Sequence, residues 1–201
     1  MLTKKLKEVF YYARAFVVWA VMSAAVGAVC GVVGGAFAIT VEEATHLRQH
    51  TPWLPWLMPI AGLVIAGLYW VLKLPLSIGT DEIIKTVRTQ EGVSIRMAPA
   101  IFLSTALTHL TGGSAGREGA ALQLGGSLAA YVGRLIRLDG KDGRVMVMCG
   151  MSAAFSALFG TPLTATVFAM EVVSVGIMHY SSLLPCTIAS FVAHGVAVKM
   201  G

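Results

Sequence analysis

One stretch of this sequence combines charged side chains with a backbone that cannot stay regular. It is Gly112-Gly113-Ser114-Ala115-Gly116-Arg117-Glu118-Gly119, a glycine-rich turn carrying one cation and one carboxylate. Its glycines predict a break after the apolar run Ile101–Leu110, and a new helix is expected to start near Glu118 and run through Leu122, Leu128 and Val132. The opening amides of a helix have no partner inside it, and the macrodipole adds positive potential, so such a break is a ready anion site. Glu118 puts a competing negative charge at the same place. When the site is empty the carboxylate can occupy it as a tethered anion, and protonation or an arriving anion displaces it. Arg117 is expected to pair with a carbonyl or carboxylate rather than to hold the ion. The glycine spacing loosely matches a nucleotide loop, but it lacks the G-x-G opening and a preceding β-rich strand.

The remaining chemistry-bearing residues form no second constellation. Cys30, Cys149 and Cys186 lie in apolar segments without C-x-x-C spacing and read as packing residues. His46 and His50 are assigned to a loop, while His109, His179 and His194 lie near or inside apolar runs. No cysteine or carboxylate grouping completes a metal site around them, no cofactor is called for, and no Ser/His/Asp grouping suggests an enzyme. Gly27, Gly31 and Gly35 repeat every four residues, a face that allows another helix to approach closely.

These residues must be positioned by membrane-spanning elements. The chain is 56% hydrophobic and only 12% charged, against roughly 25% charged in a soluble domain. Ala15–Thr40 is uncharged for longer than the roughly 20 residues that span a hydrocarbon core. Leu54–Leu72 reads as a second crossing. Shorter apolar runs follow at Met97–Thr111, Gly119–Gly133, Val145–Phe159, Leu163–Met170 with a continuation to Met178, and Ser182–Val198. Lys4, Lys5 and Lys7 precede the first run, but its length and the later segments argue for a mature helix and not a signal peptide. These lysines and Arg14, set against Glu42 and Glu43 beyond the crossing, place the N-terminus in the cytoplasm of an inner (plasma) membrane protein. The net charge of +5 comes from residues at segment ends, with no aromatic-interleaved basic face, so nucleic acid is not an expected partner. The expectation is a single all-α, polytopic membrane domain over residues 1–201 with tilted and broken helices. Non-helical backbone is tolerated in lipid only where it faces protein or a cavity, and an ionised carboxylate at mid-bilayer costs about 2.5–3.5 kcal/mol on insertion scales. Broken helices aimed at mid-membrane are a recurring transporter device.

Gly113–Gly126, reading G-S-A-G-R-E-G-A-A-L-Q-L-G-G, resembles the G-R-E-G-x-x-x-Q-x-G-G signature of the CLC chloride channels and anion/proton antiporters. Phe159–Glu171, F-G-T-P-L-T-A-T-V-F-A-M-E, is similar to that family's F-x-x-P-L-x-x-x-x-F-x-x-E segment. The resemblance implies the N-terminal half of an inverted-repeat transporter that works as a homodimer with two separate pores. It places Glu118 at the family's gating glutamate, with Gly116, Arg117 and Gly119 completing the turn. It also implies a first anion loop of the form G-S-G-I-P, whose counterpart here is Ser77-Ile78-Gly79-Thr80-Asp81-Glu82. Ile78 stands at the serine position, so Ser77 or Thr80 must supply a hydroxyl if one is used. That substitution and the short form of the turn are similar to the family's fluoride/proton antiporter branch. The first reading is therefore chloride through a glutamate-gated pore, as channel or proton-coupled antiporter. Fluoride/proton exchange is the alternative, and a non-transporting scaffold the alternative of another class.

Two expected features are missing. Chloride-type exchangers carry a second glutamate directly after the position of Glu171, where this chain has Val172; Glu171 itself reads as structural. The second-half G-x-F-x-P loop and its tyrosine have no counterpart, and Tyr180, in a loop-like stretch at 178–182, does not fit that role. The Gly160-Thr161-Pro162-Leu163 segment predicts a further helix break. The chain reads as incomplete at its C-terminus and is predicted not to conduct ions alone, which selective, Glu118-dependent efflux from liposomes holding only these residues would disprove.

Overall fold

The computed structural model describes residues 2–89, 93–173 and 180–201, with side chains described for Phe10 and from Tyr12 onward within those ranges. Among the described residues eight α-helices follow one another: α1 (Leu2–His50), α2 (Met58–Val71), α3 (Thr80–Thr89), α4 (Met97–Leu110), α5 (Arg117–Leu135), α6 (Gly140–Phe159), α7 (Pro162–Val173) and α8 (Leu183–Val198). Short 3-10 turns at Leu54–Leu57 and Tyr180–Ser182 introduce α2 and α8. The all-α expectation holds, with no strand among the described residues. Stretches of 39, 18 and 19 residues at Tyr12–His50, Leu54–Val71 and Tyr180–Val198 are long and apolar enough to cross a membrane.

Prolines set several starts. Pro59, Pro99, Pro162 and Pro185 each fall within the first three residues of a helix, where a missing N–H removes no intrahelical bond. The break expected at residues 160–163 is present: Gly160 takes a left-handed φ of 69° and α7 begins at Pro162. Asp139 caps α6 by accepting the Asp142 amide at 3.0 Å.

Two expectations need correction. His46 and His50 are not in a loop: α1 continues through them, because nothing between Thr40 and His50 interrupts a helix until Thr51-Pro52. At 49 residues the helix is about 74 Å long, well beyond the ~30 Å hydrocarbon core, so it must tilt or project. Tyr180–Ser182 forms a 3-10 turn instead of a loop; the expected apolar continuation over 174–178, and His179, lie outside the described residues.

The core is organised around α6, buried from Met146 to Ala154. Gly125 of α5 and Gly150 of α6 meet backbone to backbone, so that a Cβ on either would overlap the other's carbonyl. Gly27 and Gly31 of α1 likewise face Ala189 and Ala193 of α8, where an added Cβ would come within 2.6 and 2.8 Å of backbone. Side-chain hydroxyls of α6 fasten α8 to it: Ser152 donates to the Cys186 carbonyl at 3.1 Å and Ser156 to the Ser190 carbonyl at 2.9 Å. Small residues for close approach and hydroxyls between helices are how membrane helices associate. All three cysteines are buried and unbridged, as expected of packing residues.

Candidate anion-binding turn

The site is built by the way α4 stops. Gly112, at φ 81°, takes a left-handed conformation that costs other residues about 1–2 kcal/mol. Its amide bonds the His109 carbonyl, and the Gly113 amide reaches the Thr108 carbonyl at 2.8 Å, closing the last turn of α4 in a Schellman motif. The Arg48 side chain from the end of α1 packs over Gly112. The chain then runs non-helically to Gly116, whose extended backbone (φ −71°, ψ 129°) precedes α5 without any side-chain cap. Arg117, Glu118 and Gly119 therefore open α5 with amides that no intrahelical carbonyl can use.

Glu118 lies in the first turn of α5, and its Oε2 folds back to within 3.5 Å of where a Gly116 side chain would begin. A carboxylate there lies over the positive end of its own helix. The side chain is exposed among the described residues.

Among the described residues Arg117 pairs with a ring nitrogen instead of the expected carbonyl or carboxylate. Its Nε donates to His109 Nε2 at 3.4 Å, because the end of α4 is the polar surface within reach of the turn. The other ring nitrogen of His109 lies 2.8 Å from the Thr105 carbonyl. Donation at Nδ1 leaves Nε2 as the acceptor that Arg117 requires.

The loop at Ser77-Ile78-Gly79 arrives beside the turn through α3. Ile78 packs against the hydrophobic core. Ser77 and Gly79 line a cleft shared with Asp81, Glu82 and Lys85, where two carboxylates against one ammonium disfavour an anion. Thr80, the first residue of α3, meets the start of α5: a side chain on Gly119 would come within 2.7 Å of its Oγ1. Gly119 is thus the residue whose missing side chain admits that hydroxyl. Gln123, one turn further along α5, donates from Nε2 to Thr80 Oγ1 at 3.2 Å. It is buried, and its Oε1 has no hydrogen-bond partner among the described residues. Sequence reasoning missed Gln123 as a site residue. The available signal was its position four residues after Gly119, on the same helix face.

A model of the family described as voltage gated chloride channel matches residues 69–200. This chain belongs to the voltage-gated chloride channel family. The chloride/fluoride channel protein of Pseudomonas syringae pv. tomato is 36% identical over 184 residues, covering 91% of this chain and 41% of that protein. The H(+)/Cl(-) exchange transporter ClcA of Salmonella typhi is 29% identical over 171 residues, or 75% of this chain and 35% of that protein. A crystal structure of a CLC-type fluoride/proton antiporter superimposes with a TM-score of 0.85 at 32% identity, over 92% of this chain and 47% of the other. A slow cyanobacterial Cl-/H+ antiporter shares the fold, with a TM-score of 0.68 at 22% identity. The chain thus spans less than half the length of these relatives, and within the family its helices correspond to a partial, N-terminal portion.

Proposed function

We propose that these residues form one half of a glutamate-gated pathway for inorganic anions, coupled to protons and completed by a second half on the open side of Glu118. The observation that carries this reading is the uncapped start of α5, with the Glu118 carboxylate folded over it and the Thr80 hydroxyl beside it. Deprotonated, Glu118 competes with the anion for the same amides. Protonated, it no longer does, so each proton taken up frees the place an anion needs. Backbone amides and helix dipoles replace the ion's water without binding it too tightly to leave. Thr80, oriented by Gln123, takes the part of the hydroxyl that Ile78 cannot supply.

Fluoride is our preferred ion, with chloride second. Support comes from the loop without a central serine and from the closer likeness to proteins whose names include fluoride. The pathway works in an inner membrane as a homodimer, with the N-terminus cytoplasmic. The test uses the full-length protein in liposomes, recording fluoride or chloride efflux and proton movement together. We expect fluoride to move faster, with protons counter-transported, and Glu118→Gln to abolish proton coupling and pH dependence. Equal fluxes of both ions would remove the fluoride assignment. A Glu118→Gln variant with unchanged pH dependence would remove the gate, and no flux at all would favour the scaffold reading.

A further inference from the structure

The end of α1 holds a constellation unrelated to the anion turn. His46 and His50 stand one helical turn apart on the same face, with ring centroids 4.5 Å apart. Their Nε2 atoms approach to 3.2 Å. Both rings are exposed, and a groove along the helix is lined by Thr40, Glu43, Ala44, His46, Leu47 and His50. Two imidazole nitrogens facing each other form a hydrogen bond only when one carries the proton and the other does not. A shared cation satisfies both as lone-pair donors. With zinc–nitrogen bonds of about 2.0–2.1 Å and a tetrahedral angle, the two nitrogens stand about 3.3–3.4 Å apart. The observed separation is within about 0.2 Å of that, so the spacing of the two nitrogens suits a shared metal.

We propose that His46 and His50 form an exchangeable two-histidine clamp for a divalent transition-metal ion. Imidazole nitrogen selects zinc, copper and nickel over calcium and magnesium. No group of three histidine, cysteine, aspartate or glutamate side chains comes together around a metal position among the described residues, so water completes the shell and the ion exchanges freely. Two features raise the local affinity for a cation. Glu43 brings a carboxylate to the same groove, and the rings lie at the C-terminal, negative end of a long helix. Arg48, the nearby cation, is directed to Gly112 and the α4–α5 break.

The chain in detergent, titrated at neutral pH with zinc ion alone, is expected to take up one zinc per chain, with calcium giving no binding. His46→Ala and His50→Ala should each weaken binding at least tenfold, while His194→Ala leaves it unchanged. All three substitutions should preserve helical content by circular dichroism. Copper(II) electron paramagnetic resonance gives a second reading without any variant, and coupling to two imidazole nitrogens is expected. Zinc affinity unchanged in either His46 or His50 variant, no binding up to millimolar zinc, or a copper spectrum showing fewer than two nitrogens would each overturn the proposal.

Discussion

Glycine does opposite work in two regions of this protein. Where α5 crosses α6, Gly125 and Gly150 remove side chains so that two regular helices can touch, and both glycines lie inside uninterrupted helix. Between α4 and α5, Gly112 lets the chain leave the helix, and α5 starts after Gly116 without a side-chain cap, so its first amides have no intrahelical partner. Gly119 belongs to both kinds, since it lies in a helix but makes room for the Thr80 hydroxyl. The lesson is that in a membrane protein a glycine between helical segments prepares a polar site, whereas a glycine inside a buried helix prepares a contact. The difference is whether the backbone's own hydrogen bonds survive.

Substitutions can test that division, beginning with the largest effect. Gly125→Leu forces a branched side chain into the Gly150 carbonyl, where neither backbone can move aside. Overpacking of this kind costs about 1–3 kcal/mol or more, and we expect loss of the monodisperse peak on size exclusion in detergent. A normal peak would show that α5 and α6 do not cross there. Glu118→Gln should do the reverse, leaving folding intact because the side chain is exposed, while removing proton coupling from the full-length protein.

Thr80→Val keeps the shape but strands the Gln123 amide, and an unpaired buried polar group costs about 1–3 kcal/mol. The expected results are a lower melting temperature and weaker anion affinity, both largely recovered in Thr80→Ser. Recovery of stability without recovery of affinity would separate packing from anion binding at this contact. The smallest effect belongs to Asp142, in the first turn of α6 outside the apolar stretch. Burial, followed by the negative charge of Asp139, holds its carboxyl above the usual value of 3.8. A raised carboxylate pKa means the folded state retains the proton better than the unfolded one, so this group's contribution declines as pH rises from about 4 through the folded value. Asp142→Asn should therefore give a small gain in melting temperature at neutral pH that vanishes in acid. A gain of the same size at pH 3 would rule out the carboxyl's ionisation as its cause.

Much of this was legible from residue order, for reasons that particular positions make plain. The break at 111–116 followed from glycines in an apolar run, and the start of α7 from Pro162. The Gly27-Gly31-Gly35 stripe was readable as a helix contact, though its partner α8 was not. Harder to read were contacts between distant segments. Arg117 pairs with His109, eight residues back, because the Schellman turn folds the end of α4 toward it. Thr80 and Gln123, 43 residues apart, meet because α3 packs across the start of α5. The loop assigned to His46 and His50 failed for a different reason: polar, charged residues were taken as the end of a helix, although none of them breaks one.

Sequence alone determined which solvent this protein requires, where its helices must break, and which carboxylate stands at the break, because hydrophobic run length, proline and glycine act locally on the backbone. The tertiary structure decided which hydroxyl approaches that carboxylate's helix, which ring receives Arg117, and that Ile78 turns to the core, leaving Thr80 beside the site. Those outcomes depend on how helices far apart in the chain cross, and a crossing is fixed by the mutual fit of two surfaces that neither segment encodes by itself.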